Sequence, residues 1–153
     1  MATFGTFTAG QVLTASELNG GGAYTNISST QAFAGFTKGN ATVVSKYMKF
    51  NKFVHFWGGV TLGSTSVMNG PALDVTLPFT ATGGVLTNES NCMFYNNAAV
   101  YWGVGLHINT TALRLVAMNV AGVYAVNADV NATVPFTWAN THSFYWNHIY
   151  EAA

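Results

Sequence analysis

The residues able to do acid–base or metal chemistry in this chain are few and scattered: four histidines and five carboxylates, Glu17, Asp74, Glu89, Asp129 and Glu151. A glycosidase-type mechanism needs two carboxyl groups held within about 5–10 Å of each other. No two acids here are near enough in sequence to suggest such a pair, so only folding could join distant ones. His142, His148 and Glu151 do gather near the C-terminus. In an extended strand, an odd separation sends His148 and Glu151 to opposite faces, so one strand cannot offer both to one ion. The functional alternative is that three copies of a single histidine meet on a symmetry axis and form a three-nitrogen metal or anion site. His55, on the same predicted face as Phe53 and Trp57, suits that role too. The default is a hydrogen-bonded structural histidine, and the reading adopted is no metal and no cofactor.

Other chemical signatures are missing. There is no Gly-x-Ser-x-Gly elbow and no phosphate-cradling Gly-x4-Gly-Lys-Ser/Thr loop. Gly103-Val104-Gly105-Leu106-His107-Ile108 begins like a dinucleotide loop but lacks the third glycine and a following helix. Cys92 is the single cysteine, which excludes an internal disulfide and a cysteine-based zinc site; a buried small hydrophobe is expected there. The chain is therefore read as a non-enzyme.

Aromatic residues offer a different function. Tyr101-Trp102, Trp138 and Tyr145-Trp146 are candidates for a sugar-stacking platform, but subunit interfaces also favour Trp, Tyr, Phe and Met. Adjacent strand residues face opposite ways, so one member of each pair goes to the core and the other outward. Core or interface is preferred over glycan binding, with His55, Trp57, Trp102, Trp138 and Trp146 as the interface candidates.

Composition points the same way. Only 7% of residues are charged, against about a quarter in an ordinary soluble domain. A free monomer needs surface charge to stay dispersed, so the deficit suggests a surface covered by other subunits. Formal net charge is zero, which leaves no long-range field to gather nucleic acid or anionic lipid; neither is expected as a partner. Met1 to Gly10 has no basic region followed by an apolar run, and no stretch is long and apolar enough for a spanning helix, so the chain is expected to begin near its first residue. Five Asn-x-Ser/Thr sequons, at Asn26, Asn40, Asn88, Asn109 and Asn131, are read as turn and strand-face residues rather than glycan acceptors.

The elements that must position these residues are mostly strands. One helical turn is expected at Thr14-Ala15-Ser16-Glu17, which has capping-box spacing and is stopped by Asn19-Gly20-Gly21-Gly22. Residues 1–22 form an N-terminal arm whose apolar anchors are Phe4, Phe7, Val12, Leu13 and Leu18. Residues 23–153 form the body. Ala41 to Phe50 and Phe53 to Leu62 read as a hairpin turning at Asn51-Lys52, and Gly58-Gly59 in mid-strand points to a bulge or a close backbone approach. Further strands are expected at Leu73 to Leu77, Cys92 to Tyr95, Ala98 to Ile108, Ala112 to Met118, Tyr124 to Val126 and Phe144 to Tyr150. Val75 to Thr80 and Ala132 to Thr137 echo each other around Pro-Phe-Thr and are read as equivalent edges of two packed sheets. Short strands without alternating helices predict an all-β, jelly-roll-like β-sandwich.

Thr8-Ala9-Gly10-Gln11-Val12-Leu13-Thr14-Ala15-Ser16-Glu17-Leu18-Asn19 resembles the opening segment of many tailed-bacteriophage virion proteins, especially minor tail and fibre-like ones. Lys46-Tyr47, Lys52-Phe53-Val54-His55-Phe56, Leu62-Gly63-Ser64-Thr65-Ser66 and Val75-Thr76-Leu77-Pro78-Phe79 resemble a β-rich module of phage appendage proteins. The ending, from Pro135-Phe136-Thr137-Trp138-Ala139 through Tyr150-Glu151-Ala152-Ala153, looks like that module's last strand. This resemblance implies a structural, non-enzymatic role on the outer surface of a virion, commonly as a homotrimer contacting major capsid or tail proteins. The chain has no shaft repeats, coiled-coil heptads or separate tip domain, which favours a capsid decoration knob cemented through its arm. The alternative is a minor tail or fibre-like appendage that contacts host-surface glycan.

Overall fold

The computed structural model describes residues 23–83, 90–121 and 126–153. The expected arm, with its helical turn and its anchors Phe4, Phe7, Val12, Leu13 and Leu18, lies outside them. The described chain is all-β. Its strands are β1 (Thr25–Asn26), β2 (Phe33–Ala34), β3 (Phe36–Thr37), β4 (Thr42–Phe50), β5 (Phe53–Thr61), β6 (Val67–Met68), β7 (Leu73–Thr76), β8 (Ser90–Tyr95), β9 (Val100–Asn109), β10 (Ala112–Asn119), β11 (Val126–Asp129) and β12 (Ser143–Glu151).

Ten strands form one antiparallel sheet in the order β1-β4-β5-β12-β8-β9-β10-β7-β2, with β11 added to β10; β3 and β6 form a small second sheet. The large sheet curls back over itself. Phe33 on β2 stands at the far end of this path, yet its ring lies 5.9 Å from Phe144 and 6.0 Å from Trp146 on the central strand β12. Phe36 on β3 meets Phe144 at 5.5 Å, also edge to face. The result is a β-sandwich, as the strand pattern predicted. A polar clip joins its two layers: the buried Gln31 donates to the Thr76 carbonyl of β7 and accepts from the Ser45 hydroxyl of β4.

The sandwich follows from period-two alternation. Along β12, Phe144, Trp146, His148 and Tyr150 are buried while Tyr145, Asn147, Ile149 and Glu151 face out. Val54, Phe56 and Val60 of β5, Cys92 and Phe94 of β8, and Leu113 and Leu115 of β10 complete the core. Each large side chain withdrawn from water there contributes roughly 1.5–3 kcal/mol.

Turns follow local chemistry. Asn51 takes left-handed backbone (φ 52°) to close the β4–β5 hairpin, a conformation that asparagine tolerates. Asn97 (φ 68°) does the same before β9, while the Asn96 side-chain oxygen Oδ1 accepts from the amides of Ala98 and Ala99. That turn delays the strand to Val100, two residues after the expected start. At Asn26, Asn109 and Asn131 the side-chain oxygen accepts from the backbone amide two residues on, so these sequons are used as Asx turns. Asn88 lies outside the described residues.

Two expectations need correction. No bulge interrupts β5 at Gly58-Gly59, because its pairing with β4 and β12 is continuous there; the register shift falls between Ala112 and Leu113 on β10. The Pro-Phe-Thr echo marks a strand end only once. Pro78 follows β7, but Pro135 lies beyond a single bridge between Asn131 and Val134, in the connection to β12. What the two segments share is packing, since Phe79 and Phe136 are both half-buried against the core.

Candidate functional site

β4, β5, β12, β8 and β9 lie side by side and present one continuous outer face. Their register aligns Val44, Gly59, Tyr145, Met93 and Trp102 in a row across all five strands. None of these five residues is charged. Trp102 is 64% exposed, Val44 41% and Tyr145 39%. The next row runs Lys46, Trp57, Asn147, Asn91 and Val104.

Both glycines serve ring packing. A Cβ at Gly59 would overlap the Tyr145 ring on the outer face, and one at Gly58 would overlap the Trp146 indole on the inner face. Two consecutive glycines thus receive two consecutive aromatic residues from the neighbouring strand, one on each side of the sheet. The Gly-Gly pair predicts a bulge or a close backbone approach; the Val44 carbonyl does come near Gly58, but the closest contacts at both glycines are made by rings.

His55 belongs to the same outer face. Its Nε2 is 2.7 Å from Asn147 Oδ1 and its Nδ1 is 2.8 Å from the Tyr24 hydroxyl. Because the Asn147 oxygen only accepts, Nε2 carries the proton and Nδ1 accepts from Tyr24. Tyr24 also packs edge to face against Trp57, and Lys46 sits 5.4 Å over the Trp57 ring. His55 and Trp57 are therefore brought together, as expected of residues two apart on one strand.

Trp138 and Trp146 are elsewhere. Trp146 is 2% exposed, so this interface candidate is withdrawn: the alternation that turns Tyr145 outward turns Trp146 into the core. Trp138 is half-buried, packs on Phe94, Phe136 and Phe144, and donates from Nε1 to the Val134 carbonyl. It covers the core from the connection before β12. Tyr101 likewise turns inward onto Phe136 while Trp102 turns out.

The remaining chemical candidates are held in structural contacts. His142 Nδ1 accepts from the Ala139 amide. His148 points inward and Glu151 outward, as the odd separation requires. His148 meets His107 in the core with Nε2–Nε2 at 2.5 Å, and Tyr150 stacks on its ring at 5.1 Å. Sequence reading missed this pair, because only the β12–β8–β9 ladder brings the two strands into reach. Folding does join two distant carboxylates, but around a cation: Arg114 contacts Asp74 at 2.8 and 3.2 Å and Asp129 at 3.4 Å. The Asp74 hydrogen bond leads in holding the Arg114 guanidinium above its usual range. Cys92 is buried, and desolvation pushes its thiol up to about 12. No group of three or more His, Cys, Asp or Glu side chains with metal-binding geometry occurs among the described residues.

These features define an all-β sandwich whose distinguishing surface is a charge-poor aromatic sheet face. No protein-family model, curated protein or solved structure matches the chain.

Proposed function

We propose that this chain is a non-enzymatic structural subunit of a tailed-phage virion, a homotrimeric capsid decoration protein attached through its N-terminal arm. The observation that carries the reading is the state of its charges. Lys38 donates to the Gln31 carbonyl, Lys46 and Lys49 lie over the Trp57 and Phe79 rings, Lys52 pairs with Glu151, and Arg114 holds Asp74 and Asp129. Each of the chain's five cations thus has a partner within the body. Such a surface offers little to a charged ligand and much to a neutral, identical neighbour. The likeness of residues 8–19 to the opening of phage virion proteins supplies the setting.

Cementing needs no catalytic group. Low-charge faces bury against sister subunits, and the arm crosses between capsid subunits that internal pressure pulls apart. Deleting Met1 to Asn19 should abolish attachment to particles while leaving the body folded. Undiminished binding by the truncated protein rejects the arm's role, and a wild type that sediments as a dispersed monomer rejects the assembly.

A second reading, a minor tail or fibre-like appendage contacting host glycan, is favoured by one observation: Trp102 is the large ring most open to solvent on the outer face. Copy number separates the two readings, with hundreds per particle for decoration and few for a tail appendage.

A further inference from the structure

We infer that the outer face of β4-β5-β12-β8-β9, centred on the row Val44–Gly59–Tyr145–Met93–Trp102, is the surface through which copies of this chain bind one another. The inference rests on the assembly reading above and goes beyond it by assigning the face.

Three observations select it. Exposed apolar groups concentrate there: Val44, Phe50, Phe53, Val100, Trp102, Tyr145 and Ile149 are seven of the twelve exposed large apolar side chains among the described residues. A patch of that kind is unusual on a dispersed monomer. Its size is also right. β4, β5 and β12 are nine residues long, so five strands at about 3.3 Å per residue and about 4.8 Å spacing give a face of about 700 Å². A stable complex buries about 800 Å² per partner. Finally, the occupant must be neutral. The chain has no net charge, and the one cation in the two central rows, Lys46, lies over Trp57, so a sister subunit meets the face without repulsion.

A glycan fits this face less well. Sugar sites pair a stacking ring with polar groups that bind hydroxyls. In the central row the hydrogen-bonding side chains are the Tyr145 hydroxyl and the Trp102 indole N–H, and in the row beside it the Asn147 oxygen is already engaged by His55.

The test is sedimentation of the full chain over a wide concentration range, with Trp102→Glu, Val44→Glu and, off this face, Val120→Glu, which replaces a residue 74% exposed. All three sites are exposed, and circular dichroism and thermal unfolding confirm folding; Trp102→Ser is the milder variant. Both outer-face Glu variants should weaken association at least about tenfold, equal to about 1.4 kcal/mol, with Val120→Glu unchanged. If folded Trp102→Glu and Val44→Glu keep the wild-type mass, the face is wrong and the assembly reading stands. The same mass with loss of retention on immobilised glycans overturns the inference in favour of a sugar site. A wild type that stays monomeric at every concentration overturns both readings.

Discussion

The Tyr145 ring occupies the space in which any side chain at residue 59 would stand, and the next residue, Trp146, does the same to Gly58 on the opposite face of the sheet. One Gly-Gly step therefore lets a single strand send one ring to the core and another to the exterior. The inner approach is the tighter constraint, because a Cβ at Gly58 would also crowd the Val44 carbonyl, whereas the partly exposed Tyr145 ring can swing away from Gly59. Gly58→Ala should cost about 1–3 kcal/mol, the usual penalty for overpacking, and Gly59→Ala distinctly less. Urea denaturation of the two variants checks this; equal losses would contradict the asymmetry.

His107 and His148 approach at 2.5 Å inside the core, so one ring donates to the other and two imidazolium cations cannot coexist there. Their contributions to stability should not add. A double-mutant cycle with His107→Ala and His148→Ala should show a coupling of about 0.5–3 kcal/mol. Additivity within about 0.5 kcal/mol would mean that the contact contributes nothing.

Burial raises the Cys92 thiol from 9.0 to about 12 and raises the Tyr150 phenol as well. The unfolded chain therefore loses these protons at lower pH than the folded one. The thiol's stabilising contribution is complete below pH 9 and is lost progressively as pH rises toward 12, while the phenol's is complete below pH 10 and is lost above it. Urea midpoints should fall between pH 8 and pH 11, and Cys92→Ala should flatten the lower part of that fall. At pH 8 the native thiol should resist alkylation and react once urea unfolds the chain.

The ion cluster on β7, β10 and β11 is graded by geometry. Arg114 grips Asp74 through two nitrogens, and the Asp74 side chain is 16% exposed; its contact with Asp129 is longer, and that side chain is 46% exposed. Arg114→Leu, which strands Asp74, should cost about 1.5–3 kcal/mol. Arg114→Lys should recover only part of this, since an ammonium cannot make the two-point contact. Asp129→Asn should fall within the small range of exposed pairs, about 0–1 kcal/mol. Thermal unfolding of the three variants tests the order.

Much of the fold was written in local pattern. Period two along Phe144–Tyr150 and Phe53–Leu62 fixes strand identity and face, because a one-residue slip would bring buried rings into water. For the same reason each of the pairs Tyr101-Trp102 and Tyr145-Trp146 had to divide between core and exterior, but the pattern left open which member turns inward. Cys92 as a buried thiol and the Asn-rich turns were legible too, since burial tendency and Asx chemistry are properties of single residues and their near neighbours. Which strand lies beside which is a matter of distant pairing, on which alternation is silent. Only the tertiary structure put Trp102 in line with Tyr145 and Val44, joined His107 to His148, drew Asp74 and Asp129 onto Arg114, and withdrew Trp146 from the surface. Faces follow from a periodicity that each strand carries by itself; sites depend on register between strands far apart in sequence, which the whole core sets at once.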